Sequence, residues 1–466
     1  MSLRPVIAVN RFGLGASPGE LAAASGDPRG WIAQQIARPA PLAPELARLP
    51  GSGERLQKYP RWIQNLRWAR SEMQDSAQPA HTIEGTFRQH MGPIMMEEFG
   101  ARLASGAATE TPFHERLALF WANHFTVSAE KALIFALVGS YEREAIRPHV
   151  TGRFADMLLA ASSHPAMLIY LDNHLSVRKG WQPRRVGRSG AFPPPTGLNE
   201  NMAREILELH TLGVNGGYTQ ADVTEFARVI TGWTVRPIMD VPGGGVPGFF
   251  FDPERHEAGA KTLLGKTYAE DGRAQGEAVL RDLAAHPSTA RHIATKLARH
   301  FIADEPPAAA IDRIERAFRS SDGHLPTVYR ALLESPEAWE RPLAKLKTPI
   351  EYVVSALRAL PAARGAKPEG LFYALRGLGQ RPFFASSPQG WADTAEAWAG
   401  ADAVWKRIEW SGVLASWLGS NVDPVRLARE SYGEALGERT RLAVERAESR
   451  QQALALWLAS PEFQRR

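Results

Sequence analysis

The sequence predicts a mainly α fold: a single large multi-helix domain with a small β-hairpin insertion near residues 246–266. Three observations predict it. Helix-opening devices recur along the chain, among them Ser17-Pro18 with Glu20, Asp27-Pro28, Thr111-Pro112, and Thr348-Pro349 with Glu351. Each pairs a capping side chain with a proline that has no N–H to waste at the first helical position. Between them, apolar residues return at helical rather than alternating spacing. Only GFFFD (248–252) and KTLLG (261–265), after a stretch rich in proline and glycine, read as short strands. All of 1–466 reads as one helical domain. Its natural sub-division is an N-terminal half (1–236) holding the candidate site, an irregular insertion (237–270) and a C-terminal helical half (271–466).

Composition narrows the function classes. The chain has 466 residues, 44% apolar and 23% charged, as an ordinary globular protein does. Its net charge of +5 is small for that length and argues against nucleic acid as a partner. With no cysteine, thiolate catalysis, disulfides and zinc–thiolate sites are excluded. No apolar run approaches the roughly 18 residues a membrane span needs. The opening MSLRPVIAVNRFGLG lacks the apolar core of a secretion signal. The expected location is therefore cytoplasmic, with the periplasm as the alternative.

Taken in order, helices are expected at Trp31–Ile36 and Trp62–Met73. The region from Thr82 to Leu103 is expected as two helices split at Pro93. FHERLALFWANHF (113–125) and Ala129–Ile146 come next, then a pair interrupted at His164-Pro165. Residues 174–197 form one long irregular segment carrying Arg178, Lys179, Arg184, Arg185 and Arg188 without an acidic residue. A segment of that length is a solvated loop or a cover bringing positive charge to an anionic ligand. Leu198 to Trp233 reads as a helical hairpin. Its first helix is capped by Asn199 and closed at Gly213, and Thr219 with Asp222 opens the second. Helices resume at 272–285, at 289–302 behind Ser288, at 308–319 and at IEYVVSALRAL (350–360). QRPFFASSPQGWAD (380–393) is irregular, and ALALWLASPEFQ (453–464) comes last.

Helical wheels select the candidate site residues. In FHERLALFWANHF, His124 falls on the apolar side with Phe113, Leu117, Phe120 and Trp121, while Arg116 and Asn123 point the other way. In the first hairpin helix Glu200, Asn201, Arg204, Glu205, Glu208 and Thr211 share an arc of about 140°. His210 sits on the opposite, apolar side. The plain reading of that arc is a solvated face laced by i,i+4 pairs; the other is a buried network in which Arg204 neutralises carboxylates. Each histidine alone reads as a core residue bonded to a main-chain oxygen. Two on facing helices could instead share a buried site, as general base or as ligands of a divalent metal. His256, in the loop before KTLLG, is either turn-stabilising or ligand-facing. His292, Lys296 and Arg299 read as a solvent face, and NRFGLGA (10–16) as a glycine turn. Zinc-protease, nucleophile-elbow and phosphate-loop motifs are absent.

Several strings together resemble a bacterial family known only as domain of unknown function 1800. They are NRFGLGAS, ERLALFWANHF, YLDN, LNENMAREILELHTLGVNGGYTQADVTEFARVITGW, HEAGAKTLLG and LASPEFQ. The resemblance spans nearly the whole chain and implies one long helical domain without an assigned reaction. It also implies a partner: members are often encoded beside a secreted family similar to the alkaline-phosphatase superfamily.

Two functions are open on this reading. One is an enzyme doing hydrolytic or metal-assisted chemistry, with catalytic His124, His210, Glu205, Glu208 and Arg204. Asn123, Glu200, Asn201, His256, Arg184 and Arg185 would contact its substrate. The other is a non-catalytic accessory protein acting with the co-encoded secreted partner.

Overall fold

The structure is a computed structural model that describes residues 3–37, 40–58, 81–131, 133–182, 197–236, 248–418 and 421–466, with side chains from Met91 onward in the helix that begins at His81. The expected helix at Trp62–Met73, and Arg184, Arg185 and Arg188, lie outside these residues.

Capping chemistry sets several helix starts as expected, whereas the Ser17 and Thr111 hydroxyls cap no helix N–H. The Asp27 carboxylate accepts from Gly30 N–H. Complete capping boxes open Gln220–Val229, through Thr219 and Asp222, and Pro349–Ala359, through Thr348 and Glu351. Asn199 accepts from the Asn201 N–H at 2.9 Å, and Gly213 takes the left-handed φ of 86° that closes the turn.

Three details differ from expectation. His81–Ala108 is one continuous helix despite Pro93. Proline removes one backbone bond at a cost of roughly 3 kcal/mol, and packing offsets it. Met95, Phe99 and Leu103 are buried in a common core with Leu371, Phe372 and Leu375. At Pro287–Phe301 the cap is not Ser288 but the His286 ring, which accepts from the Ser288 N–H. The third concerns the strands. GFFF and KTL are both extended but do not pair with each other. β1 (Trp233–Arg236) runs antiparallel to β2 (Gly248–Phe251), with Trp233 opposite Phe251. β3 (Lys261–Leu263) pairs with β4 (Lys266–Tyr268). Leu264 and Gly265, both at positive φ, make a two-residue hairpin turn whose twist matches its strands.

Helices are also interrupted by π turns at Ala8–Phe12, Glu142–Ile146 and Ile206–His210. Such a turn inserts a residue and rotates the residues beyond it relative to a regular wheel. The apolar core has two main parts. One gathers buried residues between Ile7 and Trp339. The other joins Met95, Phe99 and Leu103 to residues from Tyr352 to Phe463. Val6 and Leu14 of the N-terminal segment belong to the second part while Ile7, Val9 and Phe12 belong to the first. That segment therefore straps the two together.

Candidate functional site

The strap explains why the glycine-rich string is needed. Its carbonyls at Gly13, Leu14 and Gly15 accept from Arg116 Nε, Ser355 Oγ and Arg358 Nε. Gly15 has φ of 97°, and a Cβ there would lie 2.6 Å from Ser355 Oγ. Only glycine fits. The strap thereby fixes the helix Pro112–His124 against the helix Pro349–Ala359. Between them Arg116 and Glu351 form a buried ion pair. Glu351 has two roles, because its carboxylate also closes the capping box on the Thr348 N–H at 2.8 Å.

Glu351 is shared with the far end of the chain. Lys345 and Lys347 pair in backbone hydrogen bonds with Arg466 and Gln464. This ladder carries the Arg466 guanidinium into the interior, where it is fully buried. It contacts Glu351 at 3.1 Å and Asp393 at 3.2 Å, and donates to the His300 carbonyl at 2.7 Å. Arg116, Glu351, Arg466 and Asp393 thus each have an opposite charge as partner, as charges inside a protein require.

Asp393 sits on the irregular segment 380–394, which Asn123 holds in place. The Asn123 amide donates to the Trp391 carbonyl at 2.9 Å and accepts from the Trp391 N–H at 2.8 Å. Gly390, at φ 80°, passes so close that a Cβ would lie 2.5 Å from the Asn123 carbonyl. Thus fixed, Asp393 Oδ2 lies 2.6 Å from His300 Nδ1.

The electrostatics fix the proton. Burial would raise the Asp393 pKa, but His300, Arg466 and Lys345 outweigh it and lower it to about 2. The carboxylate is ionised, so His300 Nδ1 carries the hydrogen and donates. Burial lowers the His300 pKa against the pull of Asp393, leaving the ring neutral near pH 7. Its Nε2 is therefore an unprotonated lone pair, buried and without a hydrogen-bond partner. This is the arrangement of an oriented base.

His300 lines a cavity of about 400 Å³ at the seam of the two core parts. The walls come from Pro112–His124, Pro287–Phe301, the start of Pro349–Ala359 and the segment 380–394. Lys296, one turn before His300, opens on the same cavity, as do Arg299, Asn123 and His124. Burial lowers the Lys296 pKa to about 8, with Asp393 opposing and Arg299 reinforcing the shift. Tyr141, Glu142 and Arg102 lie on the lining too. Arg102 pairs there with Glu142 at 2.9 Å.

The residues selected from the sequence fall into separate groups. His124 and His210 do meet, with ring centroids 6.1 Å apart, and His292 lies 6.2 Å from His124. His124 Nε2 contacts the His210 carbonyl at 3.1 Å, and His292 Nε2 the Leu209 carbonyl at 3.0 Å. Burial and then Lys296 depress all three, with neighbouring imidazoles adding to the shift of His124 and His210 and Arg299 to that of His292; His210 falls to about 3 and His292 to about 4. His124 lines the cavity; His210 does not. Among the described residues no group of three or more His, Asp or Glu converges as a metal-ligand set.

Glu200, Asn201, Arg204, Glu205 and Glu208 are not on the cavity lining. They form a partly exposed face of the hairpin. Arg204 contacts Glu200 at 3.2 Å and Gln220 at 2.9 Å, and Tyr218 donates to Glu208 at 3.4 Å. Glu205 has its pKa raised by burial and by Glu208. His256 is buried elsewhere, its Nδ1 on the Thr231 carbonyl at 2.9 Å and its Nε2 3.3 Å from Glu270. The YLDN string is also accounted for. Asp172, at φ 60°, faces Lys131 at 2.6 Å, and the Asn173 amide donates to the Ile230 and Trp233 carbonyls.

The sequence left His300, Asp393 and Arg466 unmarked, showed Glu351 only as a cap, and placed Lys296 on a solvent face where the structure puts it on the cavity lining. The available signal was the helical spacing of His292, Lys296 and His300, which puts them on one stripe of Pro287–Phe301. Asp393 and Arg466 lie far along the chain in irregular backbone and leave no periodic signal.

The fold and site define a helical protein with a charged cavity at the seam of its two core parts. The chain belongs to the family of proteins of unknown function DUF1800, whose profile matches residues 7–465. No curated protein and no solved structure matches it.

Proposed function

We propose that this protein is a hydrolytic enzyme whose general base is His300, oriented by Asp393. The observation that carries the reading is the lone pair at His300 Nε2, bare and buried beside the cavity while Nδ1 is committed to a carboxylate. Such a base removes a proton from water as the water oxygen attacks a substrate carbonyl or phosphoryl centre. The protonated imidazole then returns that proton to the leaving group, so the products are an acid and the protonated leaving group. Asp393 favours the transient imidazolium, and Arg466 and Lys345 keep Asp393 ionised. Of the residues selected from sequence, Asn123 holds the Asp393 segment and His124 walls the cavity. The partly exposed Glu205–Glu208 face would supply contacts outside it.

A screen of generic ester, amide and phosphoester substrates tests this. Activity is expected to fall by roughly 10²–10⁴-fold in His300→Gln, the usual contribution of a positioned base. Activity retained in that variant contradicts the reading.

A second reading has its own observation. The helix Ala401–Leu418 exposes Val404, Trp405, Ile408, Val413 and Trp417. Apolar groups concentrated on one exposed helix suit docking of a partner protein, the co-encoded secreted protein being the candidate. Co-purification with that protein, lost in Trp405→Ala/Trp417→Ala, is the expected result; unchanged recovery sinks the idea.

A further inference from the structure

We infer that the cavity takes a substrate through an anionic group, a carboxylate or a phosphate, seated on Lys296 and Arg299. The inference rests on the proposed reading of this site and names the substrate class for it. Unmatched charge is what points to an anion. The other two non-histidine cations on the cavity lining are each in contact with a carboxylate: Arg102 with Glu142, and Arg116 with Glu351. Among the described residues, Lys296 has no hydrogen bond and no carboxylate in ion-pair contact. Arg299 is engaged only by Nε, with the Asp304 carbonyl at 3.2 Å.

The two lie three residues apart on the helix Pro287–Phe301, on neighbouring positions of one face. Lys296 is also the more unusual for its surroundings. Its charge acts on the imidazoles of His124, His210 and His292, none of which compensates it, and the anionic influence on it is that of Asp393. Asp393 is already shared by His300, Arg466 and Lys345. An ammonium left in this state is costly unless a counter-charge arrives. A bound anion supplies it, and places the rest of the substrate along the helix toward His300, one turn on.

Lys296 is lowered only to about 8, so the amine is still largely cationic at neutral pH and can hold an anion. Anion binding is therefore coupled to its protonation, and affinity falls as pH rises through that value. The groups facing the amine that could confuse this dependence are the three histidines, Asp393, Arg299 and His300. The carboxylate and the imidazoles are all lowered, away from pH 8.

Thermal melting of the full chain, titrated with inorganic phosphate and separately with acetate against chloride at matched ionic strength, tests the inference. A saturable rise with phosphate or with acetate beyond chloride is expected, and it identifies which anion the site takes. Lys296→Met is expected to weaken the apparent affinity about ten-fold or more, the loss of a charged hydrogen bond. It should melt no lower than the native chain in chloride, since it removes a cation with no partner. His300→Gln is expected to keep the response, so loss of the hydrolytic reading and loss of this one are separable. No saturable response, or an unchanged affinity in Lys296→Met, overturns the inference. Should that variant not fold, the native chain decides: affinity flat between pH 7 and 9 overturns it.

Discussion

His300 differs from the other buried histidines in what holds it. His124, His210 and His292 have cations but no carboxylate acting on them, and His124 and His292 spend a ring nitrogen on a main-chain carbonyl. His300 spends its nitrogen on an ionised carboxylate. That contrast gives a prediction with a definite sign. His124 and His210 are neutral in the folded chain, with pKa values depressed well below 6.5. Between that value and their folded pKa, the unfolded chain binds protons that the native one does not. Their stability contribution is therefore full above pH 6.5 and lost as pH falls, by about 1.4 kcal/mol per pH unit for each. Asp393, lowered to about 2, adds a further loss from about pH 3.8 downward by the same linkage. Chemical denaturation from pH 7 to 4 is expected to show stability falling steadily. In His210→Gln the slope should be shallower by one proton, and an identical slope refutes the assignment.

A second prediction at this scale concerns Glu351. Its carboxylate is held well below the ordinary range because Arg466 and Arg116 outweigh its burial. Glu351→Gln strips both guanidinium groups of their counter-charge. Loss of one member of a buried ion network costs about 3–5 kcal/mol, to be read as a fall in the urea midpoint. A midpoint within error of the native one shows that the network is not a structural support.

At the scale of elements, the segment 380–394 is where sequence and structure part most clearly. QRPFFASSPQGWAD has no periodicity, and it reads correctly as irregular. Yet it delivers Asp393 to the site, because Asn123 pins Trp391 by two hydrogen bonds and Gly390 lets the backbone pass. Asn123→Ala leaves the Trp391 N–H and carbonyl unpaired, a cost of about 1–3 kcal/mol. It should also reduce whatever activity depends on His300, since the carboxylate loses its support. Asn123→Ala with activity and melting temperature unchanged contradicts this role. The hairpin at Leu198–Trp233 shows the converse. Its caps are legible in Asn199, Gly213, Thr219 and Asp222, since local capping chemistry needs no knowledge of the remainder of the fold. Its wheel is less so, because the π turn at Ile206–His210 rotates the residues beyond it. No regular spacing announces that insertion.

At the scale of the whole molecule, the helical class, the capping boxes and the two short strands of the insertion were readable because each is written locally. The joining of distant segments was not. Residues 10–15, Arg116, His300, Glu351, Asp393 and Arg466 come from six places and meet only after folding. Each looks ordinary alone: Arg116 reads as a polar-face residue, Glu351 as a cap, and Arg466 belongs to no pattern. The last of these offers a direct test of the seam. Arg466→Ala is expected to destabilise the second core part, leave Asp393 and Glu351 undercompensated, and lower the melting temperature by several degrees for a loss of about 3 kcal/mol. A terminal side chain without a structural role would be silent.

The claim on which the functional reading turns is the protonation of one ring, and nitrogen-15 NMR of the histidines reads it without a substrate. His300 is expected at pH 7 as the Nδ1–H tautomer, with a strongly downfield Nδ1 proton that vanishes in Asp393→Asn. A His300 ring protonated on Nε2, or one whose spectrum ignores that substitution, contradicts the account.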